Sequence, residues 1–116
     1  GASHDPAKYG NISVRAHRRQ GFDVYPVNPK GGQIDGREVY PSLADVPVEH
    51  LDRISVYLPP ERGMQMLEEM LAKPCRQLWF NPGSESDALV ERARELGLEP
   101  IMGCSIVDLG ISPNDV

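Results

Sequence analysis

Gly1-Ala2-Ser3-His4-Asp5-Pro6-Ala7-Lys8-Tyr9-Gly10-Asn11 opens the chain, and the residues after it read as a helix and then a strand ending in Asn28-Pro29-Lys30. Small residues let a backbone turn tightly and approach a ligand. A helix starting just beyond offers N–H groups and the positive end of its dipole to an anion. The order loop, helix, strand is therefore the start of an α/β unit with a phosphate seat in its first turn. At the tip of the next strand, a nicotinamide dinucleotide-binding unit places a carboxylate that holds the ribose hydroxyls. Here the position carries an amide, a proline and a lysine, which points to a ligand with a phosphate on its ribose.

Outward from this stretch, the pattern predicts a helix from Gly10 or Asn11 to Gln20, with Ile12, Val14 and Ala16 apolar, Arg15, Arg18 and Arg19 on the wet face, and Gly21 as its stop. Phe22–Val27 reads as a strand in which Pro26 must sit where its missing N–H is harmless. Gly31-Gly32 and Asp35-Gly36 bracket Gln33-Ile34 ahead of Arg37–Tyr40, the signature of a small hairpin, and Ser42–Asp45 fits one helical turn. Arg53–Leu58 is a strand closed by Pro59-Pro60, from which a helix runs to Ala72 with Met64, Leu67 and Leu71 at helical spacing. Leu78-Trp79-Phe80 is the next strand and Asn81-Pro82-Gly83 ends it. Ser84-Glu85-Ser86-Asp87 resembles a capping box before a helix carrying Leu89, Ala93 and Leu96, stopped by Gly97. Glu99–Met102 forms a last short strand, Ile106-Val107 a further apolar segment, and the end after Gly110 is expected to be loose.

Strand, loop and helix thus alternate. The expectation is a three-layer, Rossmann-like, doubly wound α/β domain with a mostly parallel sheet, a single domain over residues 1–116. A phosphate loop of this kind comes after the sheet's first strand, yet Gly1 already lies in the loop. An apolar strand of about 5–6 residues upstream of Gly1 is therefore expected.

Composition narrows the function classes. A net charge of −5 argues against a broad nucleic-acid surface, which needs a basic face to displace counterions, and no apolar run approaches a membrane span. Cys75 and Cys104 are too few for a zinc site or a disulfide scaffold, so a reducing cytoplasm is the default. No base can be placed beside a nucleophile, and Asp5, Asp45 and Asp108 lack metal-ligand spacing. No catalytic residue is assigned. His4 lies in the first loop, where it either donates to a phosphate or faces solvent, and His17 and His50 are placed on the surface. Trp79, Phe80, Met64, Met66 and Met70 are assigned to the core.

Taken together, Gly1-Ala2-Ser3, Pro6, Lys8-Tyr9-Gly10-Asn11, Val24-Tyr25-Pro26-Val27-Asn28-Pro29-Lys30, Gly36, Val39-Tyr40-Pro41-Ser42-Leu43 and Asn81-Pro82-Gly83 resemble the small stand-alone CoA-binding domain proteins. Those are Rossmann-like relatives of the N-terminal domain of the succinyl-CoA synthetase alpha subunit. The Tyr25–Lys30 segment is the most specific part, and the resemblance covers nearly the whole chain. It implies CoA or acyl-CoA bound at the carboxyl ends of the strands. Gly1, Ala2, Ser3 and Lys8, Tyr9, Gly10 and Asn11 would line the phosphates, and Asn28, Pro29 and Lys30 the adenosine 3′-phosphate. Tyr57, Leu58 and Pro59 would flank the adenine or pantetheine, and Asn81, Pro82 and Gly83 complete the set. Leu58-Pro59-Pro60 matches those relatives only loosely, and the synthetase's second domain with its phosphorylated histidine is absent, so ligase chemistry is not carried over.

The reading is thus a binding module that recognises a small nucleotide without turnover. Two others remain open: an NADP-binding small oxidoreductase or redox sensor, whose 2′-phosphate would also accept Lys30, and a regulatory partner subunit that binds nothing by itself. A homodimer or a partner enzyme is left open as well. Cys104, just past a strand, is placed either to form a mixed disulfide with the CoA thiol or to pack as a small hydrophobe.

Overall fold

Contacts in the computed structural model, which describes residues 1–116, separate into two units: 1–46 with 105–116, and 47–104.

In the first unit, helix α1 (Tyr9–Arg19) starts after Lys8, an extended residue whose side chain makes no cap. Its small and apolar positions, Val14 and Ala16, are buried. The helix ends at Gly21 as the sequence predicts: Gly21 N–H reaches the Arg18 carbonyl at 3.0 Å and Phe22 N–H the His17 carbonyl at 3.1 Å, with Gly21 at φ +88°. This paired 5→2 and 6→1 pattern is the Schellman closure that satisfies orphan carbonyls.

Phe22–Val27 does not form the expected strand. Only Val27 pairs, in an isolated parallel bridge to Tyr40, where Tyr40 N–H donates to Pro26 O at 2.9 Å and Asn28 N–H to Tyr40 O at 3.0 Å. Pro26 cannot donate, and the Val27 carbonyl is taken by Ala2 N–H at 3.2 Å, so the segment is tied at its tip rather than laddered along its length. The hairpin does form, as β1 (Gln33–Ile34) and β2 (Arg37–Glu38). Its turn residues Asp35 and Gly36 both have positive φ, +50° and +74°, the type I′ requirement that matches strand twist. Ile34 and Val39 from this excursion pack with Val14 of α1, joined by Ala2 and Val24.

Two corrections concern α1 and the residues that pack on it. His17 is buried, not superficial: its Nδ1 lies 2.8 Å from the Ser13 carbonyl and its ring meets Phe22 edge-on at 5.5 Å. Arg18 and Arg19 are exposed, as expected, and from the surface they reach the Asp35 carboxylate at 3.0 Å and the Asp115 carbonyl at 2.9 Å. The chain end is accordingly not loose. A short helix α5 (Ser105–Asp108) packs on α1 with Ile106 fully buried, and Pro113–Asp115 form a 3-10 turn.

In the second unit, β3 (Leu51–Val56), β4 (Cys75–Phe80) and β5 (Pro100–Met102) form a parallel sheet in that order, with Ile54 opposite Leu78, Val56 opposite Phe80 and Phe80 opposite Met102. The α/β class and the parallel sheet are those expected. Leu78, Trp79 and Phe80 are all buried although neighbours on a strand point to opposite faces, which is why a central parallel strand reads as an unbroken apolar run.

The expected helix from Pro60 to Ala72 is broken at Met66 into α2 (Pro60–Gln65) and α3 (Leu67–Ala72), because Met66 N–H turns back three residues to Gly63. The break takes residues 64, 67 and 71 off one common face. Leu67 and Met70 are buried, whereas Met64 and Leu71 are exposed. Helix α4 (Asp87–Glu95) is capped by Ser86, whose hydroxyl accepts from Leu89 N–H at 3.1 Å. With leucine in the third helical position, the reciprocal half of a capping box is missing. No helix is long and apolar enough to cross a membrane.

Candidate functional site

Two side-chain amides organise the opening loop of the first unit. Asn11, in the first turn of α1 and only 6% exposed, donates from Nδ2 to the Ser3 carbonyl at 2.9 Å. Asn28, at the Val27–Tyr40 bridge, donates from Nδ2 to the Ala2 carbonyl at 2.8 Å. Two successive carbonyls, the groups that would repel an anion, are thereby occupied by amide donors. No peptide bond here is cis, so the N–H of His4 points opposite to the captured Ser3 carbonyl. The N–H groups of Ser3 and His4 make no hydrogen bond within the protein, and neither do those of Tyr9 and Gly10 at the start of α1. Four donors and a helix dipole are therefore unspent, with no acidic residue in the helix's first turn to neutralise it.

The rest of the loop is braced by itself. The Ser3 hydroxyl accepts from Asp5 N–H at 3.1 Å, the Asp5 carboxylate from Ala7 N–H at 2.9 Å, and the Asp5 carbonyl from Lys8 N–H at 3.1 Å. The loop lies directly on α1 at Gly10. A Cβ there would stand 2.2 Å from the Gly1 carbonyl oxygen and 3.2 Å from Ser3 N. Gly10 is thus buried, and its part is to let the loop come down onto the helix.

The 28–31 turn is locked onto the same loop. Asn28 Oδ1 accepts from Lys30 N–H at 2.9 Å, Gly31 N–H closes on the Asn28 carbonyl at 3.0 Å, and the Gly31 carbonyl lies 2.7 Å from His4 Nε2. Pro29 and Lys30 are exposed at its crown, and Lys8 and Tyr9 are exposed at the start of α1. The structure therefore brings together residues 1–3, 8–11 and 28–30, which the sequence places in two separate motifs. His4, given two readings by sequence, serves to join the loops. Tyr40, whose backbone braces Asn28, has its phenol pushed above its ordinary value by loss of solvent and then by the Glu38 carboxylate.

In the second unit, the remaining candidates sit on the carboxyl edge of the parallel sheet. Tyr57, Leu58 and Pro59 follow β3, Asn81-Pro82-Gly83 follows β4, and Gly103-Cys104 follows β5. Asn81 is fully buried: its Nδ2 donates to Ser55 Oγ at 2.8 Å and to the Val56 carbonyl at 3.0 Å, clamping the tips of β3 and β4 together. Its carbonyl closes a turn to Ser84 N–H at 2.9 Å, leaving Pro82 and Gly83 exposed. Cys104 is half-buried, and Cys75 lies at the opposite edge, where burial pushes its thiol up. The groove along α4 carries Glu85, Asp87, Glu91 and Glu95 against Arg94 and does not suit a phosphate.

The residue near this loop that the sequence reading left out of the site is Arg15. Four places after Asn11 on α1, it donates from Nε to Asn11 Oδ1 at 2.9 Å and from Nη2 to the Pro6 carbonyl at 2.8 Å. The Asn11-to-Arg15 helical spacing was the available signal.

The sequence pattern of the CoA binding domain matches residues 1–110, and the chain belongs to that family. A protein of Pyrococcus furiosus named as the alpha subunit of ADP-forming acetate–CoA ligase I is 33% identical over 129 aligned positions, covering 97% of this chain but 28% of the relative's length. Among solved structures, a conserved hypothetical protein from Pyrococcus furiosus superposes with a TM-score of 0.82 at 36% identity over 93% of each chain. A Thermus thermophilus protein gives 0.84 at 31% identity, over 93% of this chain and 82% of its own. A hypothetical protein from Pyrococcus horikoshii OT3 gives 0.83 at 29%, over 94% and 76%.

Proposed function

We propose that this chain binds CoA or an acyl-CoA and acts by recognition, with the diphosphate on the opening loop and the start of α1 and the adenosine 3′-phosphate on Lys30. The observation that carries the reading is the pair of asparagine clamps: by capturing the Ala2 and Ser3 carbonyls they leave backbone donors and a helix dipole for an anion. Membership of the CoA binding domain family supports the choice of nucleotide. Tyr57, Leu58 and Pro59 are assigned to the adenine or pantetheine. The relative named as a ligase subunit supports a role beside a partner that carries the chemistry, though the chain spans 28% of that protein.

The test is calorimetric titration with CoA, acetyl-CoA, dephospho-CoA, NADP and NAD. A charge-assisted contact to the 3′-phosphate contributes about 1.5–3 kcal/mol, so Lys30→Ala is expected to weaken CoA about tenfold or more and dephospho-CoA far less. Equal losses for the two ligands would remove Lys30 from the site. NADP binding more tightly than CoA would overturn the choice of nucleotide.

A further inference from the structure

We infer that Arg15 is a positioning residue that sets the anion affinity of the opening loop without touching the ligand. This rests on the loop being the phosphate seat, as proposed above. An asparagine amide has two chemically distinct ends, and nothing in its shape decides which faces which neighbour. The Ser3 carbonyl, which can only accept, asks for the Asn11 NH2, and Arg15, which can only donate, holds the other end: its Nε–H at 2.9 Å engages the Asn11 oxygen and locks the amide in the orientation that serves Ser3. That NH2 holds the Ser3 carbonyl against the helix and leaves His4 N–H directed the other way.

The guanidinium fixes the loop at a second place as well, through Nη2 to the Pro6 carbonyl at 2.8 Å, and its Nη1 is itself held by the main-chain oxygen of Val116 at 3.1 Å. Its planar fork keeps these three acceptors in one rigid arrangement that an ammonium cannot reproduce. The side chain is half-buried and spends three of its five N–H donors, one from each nitrogen, on the protein, which distinguishes its work from that of the exposed Lys8 and Lys30.

The test uses the full chain, with Arg15→Ala, Arg15→Lys, Asn11→Ala and the Asn11→Ala/Arg15→Ala double variant, at a temperature where circular dichroism shows each folded. Binding of CoA, dephospho-CoA and inorganic pyrophosphate is measured by calorimetry, and amide exchange and shifts by NMR. Arg15→Ala is expected to weaken CoA and dephospho-CoA alike, about tenfold, leaving their ratio unchanged, because it acts on the loop and not on the 3′-phosphate. The amides of Asp5, Ala7 and Lys8 should exchange faster while those in the middle of α1 do not. Arg15→Lys should fail to restore affinity, and the double variant should lose less than the two single losses added together but more than Asn11→Ala alone, since Arg15 acts partly through Asn11 and partly through Pro6.

A folded Arg15→Ala protein that binds CoA and pyrophosphate like the wild type overturns the inference, as does faster loop exchange with unchanged affinity, which would make Arg15 a fold brace only. Wild-type protein whose His4 amide shifts with pyrophosphate, lost in Arg15→Ala, but which does not bind CoA keeps the inference and sinks the choice of nucleotide. Wild-type protein that binds neither overturns both.

Discussion

At Gly10, conformation and function pull on a single atom position. Alanine favours a helix over glycine by roughly 0.5–1 kcal/mol, yet its Cβ would meet the Gly1 carbonyl at 2.2 Å, and a backbone oxygen has nowhere to rotate. The loop must therefore lift while the helix gains. Gly10→Ala is expected to destabilise the fold by about 1–3 kcal/mol, since displacing a backbone segment outweighs the small helix gain, and to weaken CoA severalfold. Urea denaturation and calorimetry on one preparation check it, and unchanged affinity would contradict the loop-on-helix geometry. At Cys75, burial raises the thiol pKa and the Ile54 backbone N–H only partly opposes this. The thiolate is the reactive form, so Cys75 should be alkylated more slowly at pH 8 in the folded chain than in urea. An acid group with a raised pKa holds its proton longer when folded, so its contribution to stability is whole below the ordinary thiol pKa and is lost as pH rises through the folded one. Mass spectrometry of iodoacetamide adducts against pH reads the first effect.

Among the elements, those governed by local chemistry were legible. Gly21 and Gly97 each close a helix with the same two hydrogen bonds, and Asp35-Gly36 makes its hairpin turn, because these motifs need only a few neighbouring residues. Ser86 was legible as part of a cap but not as a cap alone. Its hydroxyl serves one N–H at 3.1 Å, and Ser86→Ala is expected to cost about 1 kcal/mol, measured as a lower urea midpoint with unchanged slope. Elements that depend on partners were not legible. Phe22–Val27 has the composition of a strand, but a ladder needs a neighbour, and only Val27 finds one. The break at Met66 and the exposure of Met64 and Leu71 are likewise invisible to a helical-spacing argument that assumes an unbroken axis.

For the molecule as a whole, ligand binding and folding are linked: a ligand that binds only the native state stabilises it by mass action, about 2.7 kcal/mol at a hundred times the dissociation constant. CoA is accordingly expected to raise the melting temperature in a concentration-dependent way, dephospho-CoA less at equal concentration, and NAD not at all. A thermal shift series reads this directly, and a shift with NAD equal to that with CoA would contradict a site tuned to an extra phosphoryl group. The parallel order β3-β4-β5 places Tyr57, Asn81 and Cys104 along one sheet edge, an arrangement no single segment contains.

By itself the sequence determined the α/β class, the helix stops, the hairpin turn and the grouping of small residues, amides and lysines near α1, because each comes from backbone preferences or from chemistry within a few residues. Only the tertiary structure decided what those residues do. It put Asn28 on Ala2, Asn11 on Ser3 and His4 on Gly31, buried Asn81 as a clamp and turned Arg15 inward. The physical reason is that a side-chain amide or guanidinium has no role until a carbonyl from elsewhere in the chain comes within hydrogen-bonding distance, and that distance is set by packing.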